Sequence, residues 1–147
     1  SNVVDSRTNS DMKITRTGIA PGSTQKFNIV FADLDTDSST YIKSSGKLVV
    51  NIPKDWTNVA ILNNYGFVTS PAPTLLTHGD GSHQIIATLA TNLGSATNQA
   101  DTIQFRAKAP TVTTDQMYVM YLLAEGESNT NFSIGPLSEV VLQVDAP

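Results

Sequence analysis

The residues best suited to hold an ion are three aspartates at alternate positions, Asp33, Asp35 and Asp37. Carboxylates at this spacing are arranged like the first ligands of a calcium-binding loop. The pattern departs from an EF-hand, because Ser38 stands where that loop has glycine and Ser44 where it has glutamate. A solvated acidic turn at a strand end is the simpler interpretation, since charge clusters usually face water. If the protein binds calcium, we expect these three aspartates to be the ligands, and we predict no other cofactor.

Both histidines lie in one short segment, His78-Gly79-Asp80-Gly81-Ser82-His83. Its two imidazoles and one carboxylate could bind a metal, but their spacing matches no common zinc pattern. Asp80-Gly81 is a strong signal for a hairpin turn, which we predict instead. The chain has no cysteine and no Gly-x-Ser-x-Gly elbow, so it offers no recognisable nucleophile. We therefore predict that the protein is not an enzyme.

Aromatic residues near turns are the third candidate site. Trp56 and Tyr65, with Asn63 and Asn64 beside them, could form a flat sugar-binding platform bordered by amides. Trp56 is also the one tryptophan of the chain, and tryptophan is highly buried on average. We predict that Trp56 is mostly buried and fills one end of a core, and we keep the sugar site as the alternative.

Two stretches of alternating or apolar sequence must position these groups. Thr102–Ala109 alternates strictly and predicts a strand with one wet face, whereas Met117–Ala124 is apolar throughout and predicts a central strand covered on both faces. Eight apolar residues are too few to cross a bilayer, which needs roughly 20, so we expect no membrane insertion. We predict that the two strands form a hairpin through Pro110–Asp115. The predicted core includes Leu48, Phe105, Val119 and Tyr121.

Short strands predicted along the whole chain define the fold class. The clearest are Met12–Arg16, Gln25–Leu34, Lys47–Ile52, Gln84–Ala90 and Ser138–Val144. With weaker candidates between them, they give about eight to ten strands and no amphipathic helix, which predicts an all-β immunoglobulin-like or jelly-roll sandwich. We expect residues 1–11 to be a flexible lead-in, with a cleavage scar at Ser1-Asn2, and residues 12–147 to form a single sandwich domain.

The composition narrows the possible partners. The net charge is −4, only 15% of residues are charged, and the lysines and arginines are scattered singly along the sequence. Because binding to a phosphate backbone needs clustered cations, we expect no nucleic-acid partner. Polarity comes from serine, threonine, asparagine and glutamine, a composition common in secreted β-sandwich modules. The absence of cysteine leaves stability to packing, since no disulfide can form.

The run from Gly46 to Trp56, Gly-Lys-Leu-Val-Val-Asn-Ile-Pro-Lys-Asp-Trp, and the closing Ser138–Val144 strand resemble immunoglobulin-like modules of bacterial or archaeal surface and secreted proteins. The resemblance implies an extracellular or cell-surface location. It also implies neighbouring domains of a larger surface protein as partners, together with self-association or glycan binding. Antibody-type domains are excluded, because the chain lacks their Cys…Trp…Cys pattern.

Three functions follow from these observations. The leading hypothesis is a non-catalytic structural or adhesive module that spaces, displays or self-associates. The first alternative is a carbohydrate-binding module that uses Trp56 and Tyr65. The second alternative is a hydrolase, whose catalytic residues would have to come together from distant parts of the chain.

Overall fold

The computed structural model describes residues 2–5, 14–32, 44–65, 72–93, 100–125 and 136–147, and these contain ten β-strands and no helix. The strands are β1 (Asn2–Asp5), β2 (Ile14–Ile19), β3 (Thr24–Ala32), β4 (Lys47–Ile52), β5 (Thr57–Tyr65), β6 (Thr74–Thr77), β7 (His83–Thr88), β8 (Ala100–Lys108), β9 (Gln116–Glu125) and β10 (Pro136–Val144). The predicted all-β class and strand number are therefore confirmed.

The strands form two sheets. The smaller sheet has four strands in the order β1-β3-β8-β5, and the larger has six in the order β2-β10-β9-β4-β7-β6. Neighbouring strands are antiparallel except for β1 with β3 and β2 with β10, which are parallel. One apolar cluster contains side chains from both sheets, as expected of a sandwich.

The core follows the period of two in the strands. On β3 and β8, Phe27 lies opposite Phe105, and their rings stack with centroids 5.2 Å apart. The larger sheet supplies the other half of the core. Its fully buried side chains include Leu48, Val50, Ile52, Ile85, Ala87, Met120, Leu122, Val140, Leu142 and Val144. Each large apolar side chain buried in this way contributes about 1.5–3 kcal/mol.

The predicted hairpin between β8 and β9 is wrong. β8 pairs with β3 and β5, and β9 pairs with β10 and β4, so residues 110–115 carry the chain from one sheet to the other. Alternation shows which side chains of a strand face the core, but it does not show which strand lies beside it. The two strands contribute to the same core from opposite sheets.

The prediction that β9 is covered on both faces is also wrong. Met120 and Leu122 point into the core, whereas Val119 is half-buried and Tyr121 is 44% exposed. Because successive residues of a strand point to opposite faces, the burial of Met120 and Leu122 places Val119 and Tyr121 on the outer side of the sheet. An uninterrupted apolar run carries no alternation, so the sequence could not show which half of it faces the core. The core positions of Leu48 and Phe105 are confirmed.

Four residues at the chain start form a strand that the sequence did not predict. Asn2–Asp5, expected within a flexible lead-in, forms β1 and pairs in parallel with β3 from Phe27 to Val30. Four residues with so little alternation give no strand signal of their own, and the pairing depends on the edge that β3 offers.

Candidate functional site

Trp56 fills one end of the core. Its backbone N–H donates to the carbonyl oxygen of Pro53 at 3.2 Å, and this turn directs the indole inward, where it is 0% exposed. The ring meets Phe27 and Tyr118 edge-on, with centroids 5.8 Å and 5.9 Å away. The prediction that Trp56 is mostly buried is confirmed. In this structure the ring offers no face on which a sugar could stack.

The other residues of the alternative sugar site lie along a strand. Asn63, Asn64 and Tyr65 belong to β5, where they pair with Gln104, Ile103 and Thr102 of β8. β5 is an edge strand of the four-stranded sheet. The structure therefore does not place these residues around an exposed Trp56.

The aspartates predicted to bind calcium, Asp33, Asp35 and Asp37, lie outside the described residues, so this prediction stays a prediction. Within the described ranges, no three histidine, aspartate or glutamate side chains come together in a way that could hold a metal. The one buried charged side chain there is Asp101, which is 4% exposed at the end of the core.

The histidine segment is the turn that joins β6 to β7, as its Asp-Gly pair predicts. The His78 N–H donates to the Ser82 carbonyl oxygen at 2.8 Å, and the Gly81 N–H donates to the His78 carbonyl oxygen at 2.9 Å. Gly81 has φ of 88°, a conformation that glycine adopts readily. The Asp80 carboxylate accepts hydrogen bonds from the Ser82 hydroxyl and N–H, and these bonds lower the pKa of Asp80 below its usual value.

His83 connects this hairpin to the turn that holds Trp56. Its Nε2 lies 3.0 Å from the Trp56 carbonyl oxygen, and its Nδ1 lies 3.0 Å from the Thr77 hydroxyl. A carbonyl oxygen only accepts hydrogen bonds, so Nε2 carries a proton and donates, and in the neutral ring Nδ1 accepts from the Thr77 hydroxyl. Both ring nitrogens of His83 therefore have structural partners.

The side of the six-stranded sheet that faces away from the core, here called the apolar face, includes Val49, Met117, Val119, Tyr121 and Val141. Tyr121 is 44% exposed and Met117 is 61% exposed. Beside Tyr121 is a depression of about 230 Å³. Its lining residues are Asn51, Ile52, Pro53, Ser82, His83, Val119 and Tyr121.

A row of hydrogen-bonded polar groups crosses the same sheet next to the apolar face. His78 Nε2 donates to Gln84 Oε1 at 2.9 Å, and Gln84 Nε2 donates to Asn51 Oδ1 at 2.7 Å. Asn51 Nδ2 in turn donates to the Tyr121 carbonyl oxygen at 3.4 Å. This row fixes two amides beside an exposed aromatic ring. Sequence reasoning missed it, because its members come from three strands and one loop.

The outer surface of the four-stranded sheet differs in chemistry. Lys26 of β3 lies directly opposite Arg106 of β8, and Lys108 follows on the same side of β8. Because Phe27 and Phe105 beside them point into the core, the three cations point outward, and all three are exposed. We call Lys26, Arg106 and Lys108 the cationic face. The sequence shows them as single charges, and strand pairing brings them together.

A break in strand pairing creates a depression beside Arg106. The pairing of β5 with β8 shifts between Thr57 and Ala60, and Asn58 in this bulge has a positive φ of 51°. The resulting hollow measures about 340 Å³ and is lined by Thr24, Asn58, Val59, Ala60 and Arg106. Bulges often redirect side chains near functional sites.

A fourth cation, Arg16, is part-buried and lies against the Phe27 ring of the core instead. It extends from β2 in one sheet to β3 in the other, where Nη2 donates to Gln25 Oε1 at 2.5 Å. Its guanidinium carbon lies 6.0 Å from the centroid of the Phe27 ring. Burial lowers the pKa of Arg16 below its ordinary value. Arg16 therefore links the two sheets.

No protein-family model matches this chain, and no curated protein is significantly similar to it. The described part of the chain contains no helix that is long and apolar enough to span a membrane.

Proposed function

We propose that this protein is a non-catalytic structural or adhesive module that acts outside the cell or on its surface, next to other domains of a larger protein. The observation that carries the proposal is that the polar groups best suited to catalysis form hydrogen bonds that stabilise the fold. Both nitrogens of His83, the His78 ring and the Asp80 carboxylate are engaged in hydrogen bonds that hold turns and strands.

The shape of the sandwich supports the same role. Each sheet has one face that points away from the core, and among the described residues the two depressions are shallow hollows on these faces. Such a body suits spacing, display or contact with an extended partner. The composition, rich in neutral hydroxyl and amide side chains and free of cysteine, is compatible with that role.

Labelling of intact cells tests the location. Antibodies raised against this domain should bind unpermeabilised cells of the source organism, and protease added outside should remove the signal. A cytosolic protein, labelled in parallel, should become visible only after permeabilisation. If the domain behaves like that control, the proposed location is wrong.

A hydrolytic role has a separate test. The protein should release no product from a panel of glycosidase, esterase and peptidase substrates. Turnover by the wild type that is lost in the His83→Ala variant would favour an enzyme. His78→Ala is the matched control, because that side chain is exposed and lies in the same hairpin.

A second candidate function is carbohydrate binding, and Tyr121 is the observation that favours it. Its exposed ring stands beside a depression and two amides, Asn51 and Gln84, that are fixed by hydrogen bonds. A flat apolar ring with oriented polar groups is the combination that a sugar site requires. On a neutral-glycan array, Tyr121→Ala should remove binding, while Met117→Ala on the same face should retain it.

A further inference from the structure

Two cations of the cationic face are placed where they repel each other. Lys26 and Arg106 are directly opposite in an antiparallel pair, an arrangement that destabilises a sheet when both residues have the same charge. The chain has 13 acidic residues and nine basic ones, so a neutralising partner could have been supplied. Among the described residues, however, no carboxylate forms an ion pair with Lys26, Arg106 or Lys108.

The surroundings of Arg106 provide neutral hydrogen-bonding groups in addition to charge. Ala60 lies opposite Arg106 on β5, and its short side chain together with the bulge at Asn58 leaves the hollow open. The exposed Thr24 hydroxyl and Asn58 amide also line this hollow. A ligand there would meet a guanidinium, a hydroxyl and an amide together.

We propose that the cationic face and the adjoining hollow bind a linear polysaccharide that carries acidic groups, either carboxylates or sulfates. This inference rests on the proposed adhesive role and names its ligand. The planar guanidinium of Arg106 can hold an acidic group through two hydrogen bonds. Lys26 and Lys108 add point charges along the chain of sugars, and Thr24 and Asn58 pair with ring hydroxyls.

Other polyanions fit this surface less well. Nucleic-acid binders use longer arrays of cations and aromatic rings for stacking, whereas this face has three cations and no aromatic ring among its described outward side chains. An acidic peptide would gain affinity by adding a strand at β5, but the two irregularities in the pairing of β5 and the positive φ of Asn58 indicate a distorted strand. The hollow's hydroxyl and amide match a hydroxyl-rich ligand better than either polymer.

Binding to defined polymers tests the proposal. The full 147-residue chain is titrated with polygalacturonate, which carries carboxylates, with dextran sulfate, and with uncharged dextran. The test variant is Lys26→Gln/Arg106→Gln. The matched control is Lys47→Gln/Lys54→Gln, which removes two exposed cations outside the cationic face and changes the net charge equally, from −4 to −6. Melting curves confirm that each variant is folded.

The wild type should bind at least one of the two acidic polymers and not the uncharged one, with affinity that falls as salt is added. The test variant should bind roughly tenfold more weakly or worse, since charge-assisted hydrogen bonds are lost. The control variant should stay within about twofold of the wild type, because distant exposed charges are screened. The polymer that binds more tightly identifies carboxylate or sulfate as the recognised group.

Several results would overturn the assignment. These are no binding to either acidic polymer, equal weakening in both double variants, or equal binding to uncharged dextran. Tighter binding to single-stranded DNA, to poly-glutamate or to vesicles of anionic lipid would assign the face to another partner. The failure of this proposal is distinguishable from failure of the adhesive role, because cell labelling tests location without any ligand.

Discussion

The two outer faces of this sandwich use strand pairing in opposite ways. On the apolar face, Val49 lies between Ile86 and Leu123 of the neighbouring strands, and it is only 1% exposed although it points away from the core. On the cationic face, pairing places Lys26 against Arg106, and both of these like-charged side chains are exposed and repel each other.

This difference indicates which surface stabilises the fold. Val49 and Val141, both 1% exposed, add a second buried layer outside the main core. On the cationic face, the like charges of Lys26 and Arg106 work against stability. A feature that works against stability in a folded protein is a better indication of function than one that supports it.

Substitution in the core between the two faces should give the largest loss of stability, with which the surface variants are compared. Phe105 is fully buried and stacks on Phe27, so Phe105→Ala should lower the free energy of unfolding by about 3–5 kcal/mol. Arg106→Ala, at the next position on the same strand, should change it by less than about 1 kcal/mol. Urea unfolding measures both. Similar losses in the two variants would show that β8 does not separate core from surface in this way.

The apolar face provides the next largest effect. Val49→Ala should lower the free energy of unfolding by about 1–3 kcal/mol, because it removes two methyl groups from a closed environment. Val119→Ala on the same face should have a smaller effect, since Val119 is half-buried. Chemical denaturation of both variants provides the comparison. If Val49→Ala is neutral, the apolar face is not a stabilising layer.

These contrasts also show what the sequence could predict. Alternation in Lys47–Ile52 and Thr102–Ala109 identified the strands and the core positions of Leu48 and Phe105, and the lone tryptophan indicated a buried plug. The uniform run in β9 hid the orientation of Tyr121, because no polar residue marks its outer side.

The candidate sites could not be predicted, since they depend on pairing between distant strands. Lys26 and Arg106 are adjacent only because β3 and β8 share a register. Asn51 and Gln84 likewise meet only because β4 lies beside β7. Nothing local in the sequence encodes either contact, and the hollow depends on a bulge in β5 that has no clear sequence signal.

Arg16 provides a contrast to the cationic face, because this cation makes contacts within the fold. Arg16→Gln removes a hydrogen bond to Gln25 and the contact with the Phe27 ring, so the free energy of unfolding should fall by about 0.5–1.5 kcal/mol. Binding to acidic polymers should be unchanged, since Arg16 is not part of the cationic face. Urea unfolding and polymer titration on one preparation check both statements. Loss of polymer binding with normal stability would extend the site beyond the cationic face.

The smallest expected effect is the most specific, because its sign is opposite to that of most substitutions. Lys26→Gln removes the repulsion across from Arg106, so the free energy of unfolding should rise by about 0.2–1 kcal/mol. The gain should shrink in high salt, because exposed charges are then screened. Lys47→Gln, an exposed lysine at the start of β4, is the control and should not give this salt-dependent gain. Thermal unfolding at low and high ionic strength measures the difference.

A loss of stability in Lys26→Gln at low salt would mean that the lysine stabilises the sheet. The cationic face would then need no ligand to explain it.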